Sequence, residues 1–204
     1  MILETVLVGQ MGVNCYVLAA KEGSQAIIID PGDQERKIRQ VLDRHKLDPG
    51  FIINTHGHYD HIGADNKFDV TVYVHKLDAP LLKEPVLNLS GLFSLPYTVK
   101  SRIKFLEDGE VIKLDAIQLK VIHTPGHTPG GITLLLEKPV DKIAFTGDTL
   151  FCQGIGRSDL TGGDEKLLIQ SIRDKLFTLA PETKIYPGHG SPSTIEDEKK
   201  NNLI

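Results

Sequence analysis

The stretch FIINTHGHYDH, residues 51–61, joins an apolar run to three histidines and one aspartate. A short apolar run bounded by turn residues predicts a buried β-strand, so the polar cluster is expected just past a strand end. In an extended or tightly turning segment, His56 and His58 lie on the same side and can reach one metal ion. Asp60 and His61 lie slightly further on and can serve a neighbouring ion. Clustered histidines with an interposed carboxylate seldom serve packing alone, so this stretch predicts a metal site.

Three later apolar runs also end at a possible ligand. IQLKVIHTPG leads to His127, KIAFTG to Asp148, and KIYPG to His189. Strands that stop at a common edge hold such groups in fixed geometry while the loops between them vary. The carboxylate of Asp148 has two oxygens and can bridge two ions. Seven imidazole and carboxylate ligands suit Zn²⁺ in first place, with Fe or Mn as substitutes.

Other histidines and the cysteines have simpler interpretations. A lone histidine after a strand is usually a hydrogen-bonded surface group, which is the expectation for His45 and His75. His123 precedes TPGH and is either such a group or a residue that orients His127. Cys152 lies four residues past Asp148, and a small buried core residue is the better interpretation than a ligand.

The remaining runs predict an α/β fold. Strands are expected over ILETVLVG, NCYVLAA, QAIIID, VTVYVH and GITLLLE, and helices from about Asp33 and over DEKLLIQSIRDKLFTL. Two β-sheets packed face to face with helices outside both would bury all these apolar faces. No interdomain linker is evident, so residues 1–204 are predicted to form one domain. Residues 80–100 mix Pro, Gly and apolar residues, which predicts either a functional cover over a site or a packed surface insertion.

Composition restricts the class of protein. The 204 residues are 40% hydrophobic and 25% charged, typical of a globular protein, and the formal net charge of −4 argues against a nucleic-acid partner. No run of about 18 apolar residues predicts a membrane span. The first residues, MILETVLVGQ, do not look like a signal peptide, and two cysteines without a CxxC pair fit a reducing compartment. The cytoplasm is therefore the expected location, although Cys15 and Cys152 could bond if the fold brought them together.

These motifs together resemble a known family. THGHYDH is similar to the HxHxDH signature of the metallo-β-lactamase superfamily, and HTPGHTPGG, FTGDTLF and YPGHG resemble its later motifs. FTGDTLF with GIGRSDLTGGD, and YPGHGSPSTIEDEKKNN, are similar to the glyoxalase II-like (hydroxyacylglutathione hydrolase-like) branch. The resemblance implies a four-layer αββα sandwich. It also implies a first ion held by His56, His58 and His127, a second held by Asp60, His61 and His189, and a bridging Asp148.

The resemblance further implies a dinuclear metal-dependent hydrolase that acts on hydroxyacyl-glutathione or related thioesters. Asp60 would hold one metal and orient the nucleophile, and Arg157 would either bind an anionic substrate or form a surface ion pair. Glyoxalase II proteins continue into a C-terminal helical domain, so loops of a single domain are expected to bind the small-molecule substrate here. Three alternatives stay open: a mononuclear iron persulfide dioxygenase, another metallo-hydrolase such as a lactonase, and a non-catalytic metal-binding protein.

Overall fold

The computed structural model describes residues 1–93, 95–139 and 142–204, and within them two six-stranded sheets form the centre of the fold. The first sheet has the order β1 (Ile2–Val8), β2 (Val13–Ala19), β3 (Gln25–Ile29), β4 (Asp48–Ile53), β5 (Thr71–His75) and β6 (Ile103–Leu106). The strands β1 to β3 are antiparallel, and β3 to β6 are parallel. This sheet carries the predicted cluster of residues 56–61 at the end of β4.

The second sheet contains the other predicted strand ends. In chain order its strands are β7 (Val111–Leu114), β8 (Ile117–His123), β9 (Ile132–Lys138), β10 (Ile143–Gly147), β13 (Lys184–Pro187) and β14 (Ser193–Thr194). Across the sheet the order is β14, β13, β10, β9, β8 and β7, and the β10–β13 pair is parallel. A separate hairpin joins β11 (Leu150–Phe151) to β12 (Gly154–Ile155).

Four α-helices and several tighter turns complete the described residues. The α-helices are α1 (Glu35–Arg44), α2 (Tyr59–Ile62), α3 (Glu165–Ser171) and α4 (Ile195–Asn201). Three 3₁₀ turns lie at Asp65–Lys67, Lys76–Asp78 and Ser90–Phe93, and a π-helical turn, Ile172–Leu176, extends α3. None of the helices in these residues is long and apolar enough to cross a membrane.

Continuous apolar runs explain why central strands such as β3 are buried on both faces. In β3, Ile27 and Ile29 face the second sheet, while Ala26 and Ile28 belong to the cluster that packs on α1. A strand covered on both sides needs a continuous apolar run rather than an alternating one, as QAIII has. On the far side, a third cluster joins the second sheet to α3 and α4 through Leu168, Ile185 and Ile195, among others. The layers are therefore helix, sheet, sheet and helix, as predicted.

The N-cap of α1 lies one residue beyond Asp33, the position from which the helix was expected. Gln34, not Asp33, is the N-cap residue of α1, and it has a left-handed backbone with φ of 47°. Asp33 instead accepts a hydrogen bond from the Gln34 amide at 2.6 Å. The predicted apolar stripe of this helix is present, with Ile38, Val41 and Leu42 buried.

Candidate metal centre

All seven predicted ligand residues meet at one edge of the sandwich. Four of them follow β4 and extend into α2: His56, His58, Asp60 and His61. The other three follow β8, β10 and β13 in turn: His127, Asp148 and His189. The ligand atoms form three overlapping groups, each within 4.8 Å: His56, His58 and His127; His56, His61 and Asp148; and Asp60, His61 and His189. The shared members place these groups side by side.

Asp148 lies between the two ends of the cluster. Its Oδ2 is 3.6 Å from His127 Nε2 and 3.6 Å from His189 Nε2, and its Oδ1 is 3.4 Å from His61 Nε2. Asp60 stands at the second end, where its Oδ2 is 3.3 Å from His189 Nε2. At the first end, His58 Nδ1 and His127 Nε2 face each other at 2.9 Å. Asp148 therefore contacts residues of both terminal groups.

The donor set fits a bound cation. His56 Nε2 is fully buried and has no hydrogen-bond partner among the described residues. A buried polar atom without a partner costs roughly 1–3 kcal/mol. Imidazole and carboxylate donors facing each other across 3 to 4 Å are the ligands that Zn²⁺, Fe and Mn take in proteins. Metal binding would use the lone pair that the protein leaves without a partner.

Burial and neighbouring charges set the protonation of the cluster. Burial, reinforced by the neighbouring imidazoles, holds the pKa of His56 well below its usual range and lowers the pKa of His58 to about 3. Burial acts to raise the pKa of Asp148, but the surrounding imidazoles, His61 foremost, outweigh it and lower that pKa. His56 and His58 therefore offer neutral imidazoles beside the ionised Asp148 carboxylate near neutral pH, which is the form that binds a cation.

Outer partners fix the orientation of three imidazole rings. His61 Nδ1 lies 3.0 Å from Asp30 Oδ2, His127 Nδ1 lies 2.6 Å from the Arg157 carbonyl oxygen, and His189 Nδ1 lies 3.1 Å from the Met11 carbonyl oxygen. Each contact leaves Nε2 directed at the cluster, the arrangement expected for metal-binding histidines. These partners could not be predicted from the sequence, because two of them are backbone carbonyl oxygens.

Asp78 is a buried carboxylate that joins two ligand loops. Its Oδ2 accepts hydrogen bonds from the Gly57 amide at 2.9 Å and from Thr128 Oγ1 at 2.8 Å, and its Oδ1 accepts from the Gly130 amide at 2.6 Å. Burial raises the pKa of Asp78, although these donors oppose the rise. A Cβ at Gly130 would lie 2.5 Å from the Asp78 amide nitrogen, so only glycine fits there. Asp78 therefore positions the loops of His58 and His127 relative to each other.

The His189 loop is attached to the first sheet. Asn14 Nδ2 donates to the Pro187 carbonyl at 3.0 Å and to the Gly190 carbonyl at 2.8 Å, and Tyr16 Oη donates to the Pro187 carbonyl at 2.6 Å. A Cβ at Gly188 would come within 2.2 Å of Asp148 Oδ1, which explains a glycine at this position. Residues of β2 thus hold a ligand loop of the second sheet in place.

Cys152 and His75 differ from their sequence interpretation, and of the two alternatives for His123 the structure supports the hydrogen-bonded group. Cys152 is exposed, so it is not a core residue, and both it and Cys15 are free thiols. It lies in the turn between β11 and β12, outside the buried face of the sheet. His123 does not orient His127: its Nε2 lies 2.9 Å from the Pro129 carbonyl oxygen, and its ring stacks on His75 with centroids 4.1 Å apart. His75, expected at the surface, is buried by that stacking.

Two cavities open beside the cluster. The first, of about 260 Å³, is lined by His58, His127, Asp148 and His189 together with loop residues that include Asn88, Leu92, Arg157 and Leu160. We call it the Arg157 cleft. Both segments expected to reach the metal site, residues 80–100 and GIGRSDL, thus contribute to its wall, with Ser94 outside the described residues. The Arg157 guanidinium binds both oxygens of Asp159 at 2.8 Å and is exposed.

The second cavity has fewer ionisable side chains in its wall. It measures about 200 Å³ and is lined by Val8, Gly9, Gln10, Met11, Val13, Gly32, Asp33, Tyr59, Asp60 and Leu95. We call it the Val8 cavity. Met11, Tyr59 and Asp60 line both spaces. The two cavities therefore meet at the second end of the histidine and aspartate cluster.

A helix–sheet–sheet–helix sandwich with histidines and aspartates at one edge defines a class of metal-binding domain. The family model of the metallo-β-lactamase superfamily matches residues 8–189. The chain belongs to this superfamily. It is 36% identical to the probable metallo-hydrolase YqgX of Bacillus subtilis, over 96% of this chain and 93% of that protein. It is also 36% identical to the hydroxyacylglutathione hydrolase GloC of Haemophilus influenzae, over 98% of this chain and 96% of that protein.

Solved structures show the same fold. The BLEG-1 B3 metallo-β-lactamase superposes with a TM-score of 0.91 at 36% identity, covering 99% of this chain and 98% of that one. The protein TTHA1623, solved in a di-iron-bound form, gives a TM-score of 0.82 at 34% identity, with 98% of each chain covered. ETHE1 from Myxococcus xanthus gives a TM-score of 0.82 at 27% identity, covering all of this chain and 84% of that one. The fold predicted from the sequence is confirmed.

Proposed function

We propose that the protein is a dinuclear metal-dependent hydrolase that cleaves thioesters of the hydroxyacyl-glutathione type. The observation that carries the proposal is the position of Asp148, which lies 3.6 Å from a histidine of each terminal group. A structural zinc site is normally a closed set of four ligands. Seven ligand-type side chains beside two open cavities instead suit a pair of ions that keeps positions free for water and substrate.

The chain's residues divide between the two ions. His56, His58 and His127 would hold the first ion, Asp60, His61 and His189 the second, and Asp148 would contact both. Zinc is the first expectation, and iron or manganese suits the same donors. Two such ions supply a hydroxide from water near neutral pH and polarise a carbonyl group.

Asp60 is suited to a second task. Its side chain is 17% exposed, and it lines both cavities. Its carboxylate can therefore accept a hydrogen bond from the attacking water and orient it toward the acyl carbon. The water oxygen joins that carbon, the carbon–sulfur bond breaks, and the thiolate leaves with the bonding electrons before it takes up a proton.

The similarity to GloC supports a glutathione thioester as the substrate. Arg157 is the cation that lines the Arg157 cleft, beside Asn88 and Leu160. Its bidentate ion pair with Asp159 is exposed to solvent, where such a pair contributes little to stability. A substrate carboxylate can therefore replace Asp159 as the partner of Arg157 at little cost in free energy. Arg157 would then bind the anionic thiol part of the substrate.

A mononuclear iron dioxygenase is the second candidate. One of the three groups, His56, His61 and Asp148, has the two histidines and one carboxylate that bind iron in many oxygenases. The similarity to ETHE1 extends over the whole chain. Such an enzyme would need one ion and molecular oxygen, which separates it from the hydrolase by experiment.

Metal content and activity of the same preparation test the proposal. Protein purified without chelators and loaded with zinc, iron or manganese would be assayed for thiol release from lactoylglutathione and for oxygen uptake with glutathione persulfide. We expect two ions per chain and thioester cleavage. One ion per chain together with rapid oxygen uptake on iron would assign the protein to the dioxygenases. The cytoplasmic location expected from the sequence stays a prediction.

A further inference from the structure

The Val8 cavity has the lining of a site for an apolar group. Val8 and Val13 form its buried wall, with at most 1% of each residue exposed. Met11 and Leu95 line it as well, although 49% and 59% of these residues are exposed. Exposed apolar side chains gathered around one concave space indicate a binding groove more often than chance. Leu92, which is 73% exposed, lines the neighbouring Arg157 cleft.

The charges of the cavity restrict the ligand further. Its described lining includes two carboxylates, Asp33 and Asp60, and no lysine, arginine or histidine. Asp60 would hold the second ion, so an anionic group placed in the cavity would meet the like charge of Asp33, and the described lining offers no cationic side chain to offset it. A neutral apolar chain meets no such penalty. The Arg157 cleft has the opposite character, because a guanidinium belongs to its wall.

The position of the Val8 cavity indicates which part of the substrate would bind in it. Met11, Tyr59 and Asp60 line both spaces, so a molecule bound across them passes the second end of the metal cluster. A carbonyl carbon held at that cluster has two substituents, the acyl chain and the thiol part. With the anionic thiol part beside Arg157, the acyl chain extends into the Val8 cavity.

We propose that the Val8 cavity binds the acyl chain of the substrate and selects neutral, apolar acyl groups over charged ones. This proposal rests on the proposed hydrolase function. It deepens that function, since a small hydroxyacyl group fills little of a space of about 200 Å³. Thioesters with longer unbranched acyl chains are the better substrates.

The kinetic test compares acyl chains on one thiol. Acetyl, butanoyl and hexanoyl thioesters of N-acetylcysteamine would be assayed with metal-loaded protein. We expect kcat/KM to rise about fourfold per added methylene until the cavity is full, the factor that about 0.8 kcal/mol per buried CH₂ gives. A glutaryl thioester, which ends in a carboxylate, should be poorer than its neutral counterpart. Equal kcat/KM values across the neutral series would overturn the proposal.

Two matched variants localise the effect. Leu95 lines only the Val8 cavity and Leu92 only the Arg157 cleft, and both are exposed. Leu95→Asp should lower the ratio of the hexanoyl to the acetyl kcat/KM value about tenfold, while Leu92→Asp keeps the wild-type ratio. Gln10 is exposed, and the Gln10→Arg variant should have a higher kcat/KM for the glutaryl thioester than the wild type. The same loss in both leucine variants would refute the assignment.

A binding measurement separates this proposal from the hydrolase function. Hexanamide and acetamide, which cannot report turnover, would be titrated while the NMR methyl signals of Val8 and Val13 are followed. Hexanamide should shift these signals in the wild type and not in Leu95→Asp, and acetamide should shift neither. If no thioester is cleaved but hexanamide binds in this way, the cavity assignment holds and the hydrolase function fails. Unshifted methyl signals with hexanamide refute the cavity assignment itself.

Discussion

Replacing Asp78 by asparagine should weaken metal binding without removing any ligand. The asparagine oxygen can retain the bonds to the Gly57 amide and Thr128 Oγ1, but the amide nitrogen then faces the Gly130 amide, donor against donor. Losing one hydrogen bond to a charged acceptor costs roughly 1.5–3 kcal/mol, and the buried N–H left without a partner costs a similar amount. The expected loss in the free energy of unfolding is therefore about 3–6 kcal/mol, the sum of the two costs.

Metal affinity should fall because two ligand loops lose their common anchor. Changes to residues that orient ligands typically reduce metal affinity about 10–100-fold. The loss should concern the ion held by His56, His58 and His127 first. Competition with a chromophoric chelator measures the two affinities, and urea denaturation measures the free energy of unfolding.

The control is another buried carboxylate. Glu198 is 1% exposed and accepts hydrogen bonds from the Gln153 amide at 2.8 Å and from Asn202 Nδ2 at 3.0 Å. None of its partners adjoins a ligand residue, so Glu198→Gln should reduce stability but leave metal affinity unchanged. If Asp78→Asn lowers stability and still binds both ions with wild-type affinity, the positioning role of Asp78 is wrong.

The other predictions concern the ions, the substrate and pH. Asp148→Ala should lose both ions and His189→Ala mainly the second, as elemental analysis of each variant would show; two retained ions in Asp148→Ala contradict the bridge. Arg157→Ala should raise KM for lactoylglutathione more than it lowers kcat, the pattern of lost uniform binding; a fall in kcat alone contradicts a binding role. Burial lowers the pKa of His75 to about 4, below its value of about 6.5 in unfolded chains. The unfolded state therefore takes up this proton first as the pH falls, and wild-type stability should decline between about pH 6.5 and 4 more steeply than that of His75→Phe. Equal slopes in urea denaturation across this range would contradict the prediction.

The clustering of the seven candidate ligand residues could be predicted because each follows an apolar run. His127, Asp148 and His189 stand within a few residues of a strand end, and strand ends converge at a sheet edge whatever the loops do. The layered fold was predictable for the same reason, since QAIII and FII are apolar on both faces. Such signals are local in the sequence.

The residues that hold the ligands could not be predicted in this way. Asp78 acts on groups 21 and 50 residues away in the chain, and nothing in KLDAP distinguishes it from a surface aspartate. His75 and Cys152 were misinterpreted because burial depends on what packs against a residue. The ring of His75 stacks on the His123 ring of the other sheet, whereas Cys152 lies exposed in the hairpin turn between β11 and β12.

The division of ligands between the sheets has a mechanical consequence. Four candidate ligand residues follow a strand of the first sheet and three follow strands of the second. An ion bound by His58 and His127 would therefore cross-link the two sheets at one edge of the sandwich. At a free metal concentration 100 times the dissociation constant, such a cross-link adds about 2.7 kcal/mol to stability. The free metal concentration would then set how often the two sheets separate at this edge. In a chain without metal, proteases would cleave at this edge before they cleave at the opposite one.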